Sequence, residues 1–296
     1  MAKKVILDTD PAIGYALKDV DDALALLHLI AHPQEIDLLG VTTVFGNASG
    51  KKTYGKALEI LEAIDRGDIP VYKGASLPWR RGEGTEASTF LTETIDSLPG
   101  EVTLLAIGPL TNIATALLKD IGFIEKLERL VILGGIMPES KRVRLMNPFD
   151  LNFFSDPPSA HIVMSSEGDK TLIPVTLCHK VVFTARELSR LEDMDNRLSR
   201  YLVPSIEPWF KLNLKIPFLP WKGGFVPWDV IATSVVVIPE AFSDLEMMHL
   251  DVKPLGLARG RVFPDISRQV PPTQVPTDVD SEAVLKSLLD GLGSFD

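Results

Sequence analysis

Short apolar runs of strand length alternate with helix-length segments through the first 175 residues. That alternation constrains the fold more than any other feature of the chain. Residues 5–7 read as a buried strand and residues 23–31 as an apolar-rich helix. Residues 36–44, rich in Val, Leu and Thr, read as a second strand, followed by a helical segment near 56–64 and a short strand at 70–72. Residues 102–106 run into Gly108-Pro109 and a helical stretch at 110–118. Residues 130–133 end at Gly134-Gly135, and 172–175 form one more buried run. Strands separated by helices predict an α/β fold, with a mostly parallel central sheet flanked by helices. A chain of 296 residues can bury one sizeable core, so a single domain over 1–296 is expected. Ligands bind such sheets beyond the carboxyl ends of the strands, which singles out Asp8, Asp10, Asn47, Thr111 and Gly134.

Charge and cysteine usage narrow the function classes. A net charge of -10 argues against a nucleic-acid surface, which carries a basic patch, and leaves a small-molecule partner open. The only cysteine, Cys178, allows neither an intrachain disulfide nor a thiolate metal cage, and the reducing cytoplasm is the expected compartment. Asp8 and Asp10 cut the first apolar run far short of a signal-peptide core, and no stretch reaches membrane-spanning length. Residues 77–89 are polar and Gly-rich and predict a mobile loop. Residues 204–228, dense in proline and aromatics, predict a pocket cover.

The chemistry-bearing signal is acidic. Asp8 and Asp10 stand two apart at the end of a strand, and so on one side of it. Asp21 and Asp22 precede the apolar helix that begins at Ala23, where negative charge is favoured. A helix N-cap would account for one of these carboxylates, not for four. Crowded carboxylates force protonation unless a cation sits among them. With no Cys or His in the cluster, a hard ion is expected; calcium is favoured over zinc, and magnesium stays open. Haloacid dehalogenase-type phosphohydrolases also open with D-x-D-x-T or D-x-D-x-V after a strand. Ala12 breaks that pattern at its fifth position, and the later motifs of that family are not in register.

Asp8-Thr9-Asp10-Pro11, followed by Asp21-Asp22-Ala23-Leu24-Ala25-Leu26, resembles the nucleoside hydrolase signature DTDPGxDDAxAL. The segment from Val41 to Asn47 (VTTVFGN) resembles that family's VTTVxGN, and Gly108 to Ala114 (GPLTNIA) resembles its GPLTNIA. Leu133-Gly134-Gly135 resembles MGG, and Asp150-Leu151-Asn152-Phe153 ahead of Asp156-Pro157 is similar to EFNI...DP. Trp228-Asp229 falls where the family has an aromatic or histidine before a metal-binding aspartate. These matches run in family order from Asp8 to Asp229.

The resemblance implies an open, Rossmann-like topology and calcium-dependent hydrolysis of ribonucleosides to ribose and free base, by a homodimer or homotetramer. It implies calcium held by the carboxylates of Asp10, Asp22 and Asp229 and the main-chain carbonyl of Thr111, with Asp10 as the base toward water. It implies ribose contacts from Asp21, Asn47, Asp150 and Asn152, with Asp8 as a buried support. Trp228, in place of a histidine, resembles the purine-preferring class and would stack on a leaving purine, with Trp79 as a second face. Residues 12–20 contain an insertion beside the proposed metal, able to present Tyr15 or Asp19. Asp150 stands in place of Glu, and Asn147 matches the family's GN segment only loosely. The five histidines have no position that recommends a general acid. A catalytically weak relative that binds nucleosides or sugars without turnover is the rival expectation.

Overall fold

The structure is a computed structural model that describes residues 2–137 and 150–295. In chain order the strands are β1 (Lys3–Thr9), β2 (Ile36–Thr43), β3 (Val71–Lys73), β4 (Val102–Ala106), β5 (Arg129–Leu133), β6 (Lys170–Ile173), β7 (Phe183–Thr184), β8 (Gly224–Phe225), β9 (Phe242–Val252), β10 (Val262–Pro264) and β11 (Pro272–Val279). Nine form one sheet, in the order β10-β9-β11-β6-β5-β4-β1-β2-β3, and β7 pairs with β8 in a two-stranded ribbon. From β3 to β6 every pairing is parallel, in the order of the open doubly wound fold. The antiparallel strands β9 and β10 close the far edge.

Side-chain parity explains why the sheet is covered on both faces. Val5 and Leu7 of β1 join Leu105 of β4 in one apolar cluster, whereas Ile6 joins Leu104 and Ala106 in another. Successive strand residues point to opposite faces, so near-continuous apolar strands must be packed from both sides. The helix Asp21–Ile30 is buried along its whole length, because it packs against the helices Trp228–Val237 and Ser281–Leu292 as well as the sheet side. A helix apolar all round belongs inside.

One expectation is corrected. Residues 77–89 are not one loop: a 3-10 turn forms at Pro78–Arg80, and the helix Glu86–Ser97 starts inside the segment. Thr85 and Ser88 exchange side-chain-to-backbone hydrogen bonds, a reciprocal cap that the polar composition conceals. The proline-rich stretch is helical too: Arg197–Lys215 runs through Pro204 and Pro208. Burial of Leu202, Ile206 and Phe210, four apart on one face, offsets two prolines that each cost about 3 kcal/mol in a helix interior.

Candidate active site

The acidic residues converge at the carboxyl end of the parallel strands. Asp10 follows β1, Asn47 follows β2, and residues 108–112 follow β4, so the parallel register alone brings these loops together. Asp8 is fully buried beneath them: its Oδ1 accepts from Thr42 Oγ1 at 2.6 Å and Asn112 Nδ2 at 2.7 Å. Burial outweighs those two bonds and pushes the Asp8 carboxyl up to about 7.

Asp10 is wedged between two glycines. A Cβ on Gly46 would stand 2.0 Å from Asp10 Oδ2, and one on Gly108 would stand 3.0 Å from Oδ1. Asp10 Oδ2 accepts from the Asn47 backbone N–H at 2.5 Å, while Oδ1, also buried, has no hydrogen-bond partner among the described residues. Asp22 Oδ1 accepts from Thr9 Oγ1 at 2.5 Å and from the Asp10 N–H at 2.9 Å, and its Oδ2 accepts from Asn47 Nδ2 at 3.0 Å. Asp21 Oδ2 accepts from the Asp229 N–H at 3.2 Å. Neither Asp21 nor Asp22 caps its helix: the cap position is Val20, without a side-chain bond. Desolvation, then mutual repulsion, drives the Asp10, Asp21 and Asp229 carboxyls far above the usual carboxylate range, and burial raises Asp22 as well.

Beside this cluster lies a cleft of about 200 Å³. Asp19, Asp21 and Asp229 form its acidic wall, with Asn47, Asp150 and Asn152 also lining it. Ile107, Leu133 and Val175 contribute apolar surface, and two indoles, Trp209 and Trp228, complete it. Trp228 meets Trp221 edge-on, with centroids 5.2 Å apart. Asn152 gives its amide protons to the Ile107 and Leu133 carbonyls at 2.8 and 3.1 Å, which leaves its Oδ1 as the group to offer a ligand. Both Asp150 oxygens accept main-chain N–H bonds, from Asn152, Gly135 and Phe153, so Asp150 caps the helix Leu151–Ser155 and pins the glycine turn.

The structure departs from the sequence reading at two positions. Trp79 does not line the cleft; it is 74% exposed on its 3-10 turn, and Arg81 ties that segment to Asp156 and Ser159 instead. Trp209 is the aromatic that joins Trp228, and the proline density around it was the signal. Thr111 opens the helix Thr111–Lys119: its hydroxyl donates to Asp156 Oδ2 at 2.7 Å, and its carbonyl accepts from Thr115 Oγ1 at 2.7 Å. Asp156 caps the helix Pro157–Met164. Asn147 lies outside the described residues.

The donor set fits a hard divalent cation. It consists of oxygens, it includes the unpartnered buried Asp10 Oδ1, and carboxylate oxygens of Asp19, Asp21 and Asp22 lie within 4.8 Å of one another. The family model described as inosine-uridine preferring nucleoside hydrolase matches residues 5–286.

The chain belongs to the nucleoside hydrolase family.

An N-ribosyl hydrolase is therefore the enzyme class, as the aspartate signature implied. Probable uridine nucleosidase 2 of Arabidopsis thaliana is 29% identical, covering 98% of this chain and 97% of its own. A pyrimidine-specific ribonucleoside hydrolase of Shewanella sp. strain ANA-3 is 32% identical over 76% of this chain and 74% of its own. Two solved structures share the fold at a TM-score of 0.85. One is a plant nucleoside hydrolase, 24% identical, covering 99% of this chain and 100% of its own. The other is a purine-preferring ribonucleoside hydrolase from Gardnerella vaginalis, 23% identical, covering 99% of both chains. Among the described residues of this nucleoside hydrolase, no helix is long and apolar enough to cross a membrane.

Proposed function

We propose that the protein hydrolyses the N-glycosidic bond of ribonucleosides with a bound calcium ion and favours purine nucleosides. The observation that carries this reading is Asp10: a buried carboxylate held by one oxygen against Gly46-Asn47, its other oxygen without a partner. The carboxylates of Asp10, Asp22 and Asp229 and the Thr111 carbonyl would hold the ion, with homodimer or homotetramer assembly in the cytoplasm. When bound, the cation supplies the charge that lets these carboxylates ionise together, and it makes water more acidic.

The chain's own groups then divide the work. Ionised Asp10 takes a proton from water at its free oxygen as the water oxygen bonds to C1′ of the ribose. The C1′–N bond breaks through an oxocarbenium-like state, its electron pair passes to the base, and the base gains a proton from solvent. Asp21, Asn47 and Asn152, with spare capacity on Asp150, hold the sugar hydroxyls, and contacts that tighten at that state accelerate the reaction. Trp228 offers a face for the base. Its N–H can only donate and is no practical acid, so stacking is its contribution. The second indole, Trp209, supports a broad, flat base.

A uridine-preferring enzyme is the second reading, favoured by the names of the curated relatives. A nucleoside panel with and without chelator tests the whole. Ribose should be released from inosine faster than from uridine, chelation should abolish turnover, and Asp10→Ala should lose several orders of magnitude in rate. Full activity after exhaustive chelation would overturn the cation-dependent mechanism. Binding without ribose release would mark a catalytically weak relative.

A further inference from the structure

Asp19 is supplied by the segment that interrupts the family signature, and it reaches the cleft wall. That segment is anchored: the Tyr15 ring lies 5.0 Å from both the Lys52 and Lys56 ammonium groups, on the helix Gly50–Ala63. Turns from Ala12 to Tyr15 and from Tyr15 to Lys18 lead the chain back to Asp19. Asp19 Oδ1 accepts from Asn47 Nδ2 at 3.1 Å, and the same nitrogen donates to Asp22 Oδ2 at 3.0 Å. An amide nitrogen carries two protons, and here each faces a carboxylate. Turning the amide over would aim its oxygen at two carboxylate oxygens, so electrostatics fixes its orientation. What Asn47 has left for a ligand is its Oδ1, an acceptor. The donors a nucleoside can bring to it are its sugar hydroxyls.

We propose that Asp19 is a positioning residue: it locks the Asn47 amide so that the carbonyl oxygen accepts a hydrogen bond from one sugar hydroxyl. The proposal rests on the nucleoside hydrolase reading of the cleft. With Asp22 as its sole partner, the amide would keep a free N–H and could swing. Asp19 therefore acts on substrate through Asn47, while the Asn47 backbone N–H stays on Asp10.

Hydrogen bonding and charge separate in the variants. Asp19→Ala should raise KM for ribonucleosides about tenfold with a smaller change in kcat. Asp19→Asn, whose amide oxygen still accepts, should recover most of that loss. Asp19→Ala should add little to Asn47→Ala. Among 2′-, 3′- and 5′-deoxynucleosides, the one lacking the hydroxyl bound by Asn47 should no longer register Asp19→Ala. Independently of turnover, the Asn47 side-chain amide signals in a nitrogen-15 correlation spectrum should shift in Asp19→Ala and return in Asp19→Asn. Unmoved amide signals or fully additive penalties would overturn the proposal. So would Asp19→Asn matching Asp19→Ala with weakened calcium binding by calorimetry, which would make Asp19 a cation ligand. A wild type that releases no ribose would refute the function, and the amide spectrum would still decide whether Asp19 holds Asn47.

Discussion

The tightest constraint at the residue scale is the contact between Asp10 and two glycines. A carboxylate can lie against backbone only where no Cβ intervenes, which gives the glycines of VTTVFGN and GPLTNIA a shared physical purpose. Gly46→Ala would place a methyl 2.0 Å from Asp10 Oδ2. We expect at least about a hundredfold loss in kcat, because ångström displacements of a reacting group cost that much. Circular dichroism should remain that of a folded protein; wild-type kinetics in Gly46→Ala would show that Asp10 does not act from this place. Trp228 is the other informative residue. If it stacks on a departing purine, Trp228→Ala should lower kcat for inosine more than it raises KM. Uridine turnover equal to that of inosine, with purine kcat intact in the variant, would transfer the preference to the pyrimidine reading.

Among the elements, the insertion at residues 12–20 is the most distinctive. Gly14, Ala16, Leu17 and Lys18 are exposed, whereas the neighbouring Asp19 is half-buried in the cleft wall. Gly14–Lys18 and the helix Arg197–Lys215 border a second groove, and Trp209 lines both groove and cleft. Exposed loop residues contribute little to stability, while a shared wall couples the loop to whatever the cleft holds. Trimming the insertion to the length in DTDPGxDDAxAL should change the relative rates among nucleosides and move the melting temperature by only a few degrees. A collapse in melting temperature with an unchanged substrate profile would make the insertion a structural brace.

Across the whole molecule, His28 joins three helices. From Asp21–Ile30 its Nδ1 meets Thr233 Oγ1 and its Nε2 meets Ser287 Oγ, both at 2.9 Å, and the ring is fully buried. Burial, with the neighbouring His32, pushes the His28 pKa from 6.5 down to about 3. The unfolded chain then binds a proton that the folded one refuses, so this contribution is complete above pH 6.5 and is lost as pH falls toward 3. Asp8, raised to about 7, acts in the opposite sense and destabilises the cation-free protein as pH rises toward neutrality. Comparing variant with wild type isolates the histidine. Urea titrations should show His28→Gln destabilised at pH 7, with the gap to wild type narrowing steadily toward pH 4. A gap independent of pH would mean that the ring titrates normally.

What the sequence determined by itself is local or follows from order along the chain. The alternation of apolar runs specified parallel strands, and parallel strands send successive loops to one end. Asp10, Asn47 and residues 108–112 could therefore be placed together from pattern alone. Only the tertiary structure decided which groups those loops leave free. Asn152 spends its amide protons on the Ile107 and Leu133 carbonyls, and Asp150 spends both oxygens on backbone, partners that no spacing rule predicts. Trp209 entered the cleft because burial of one helix face outweighed two prolines, and Trp79 stayed outside because Arg81 anchors its segment to Asp156. Local pattern fixes where a chain turns; the balance of burial against desolvation, settled among residues far apart in sequence, fixes what each side chain has left to offer.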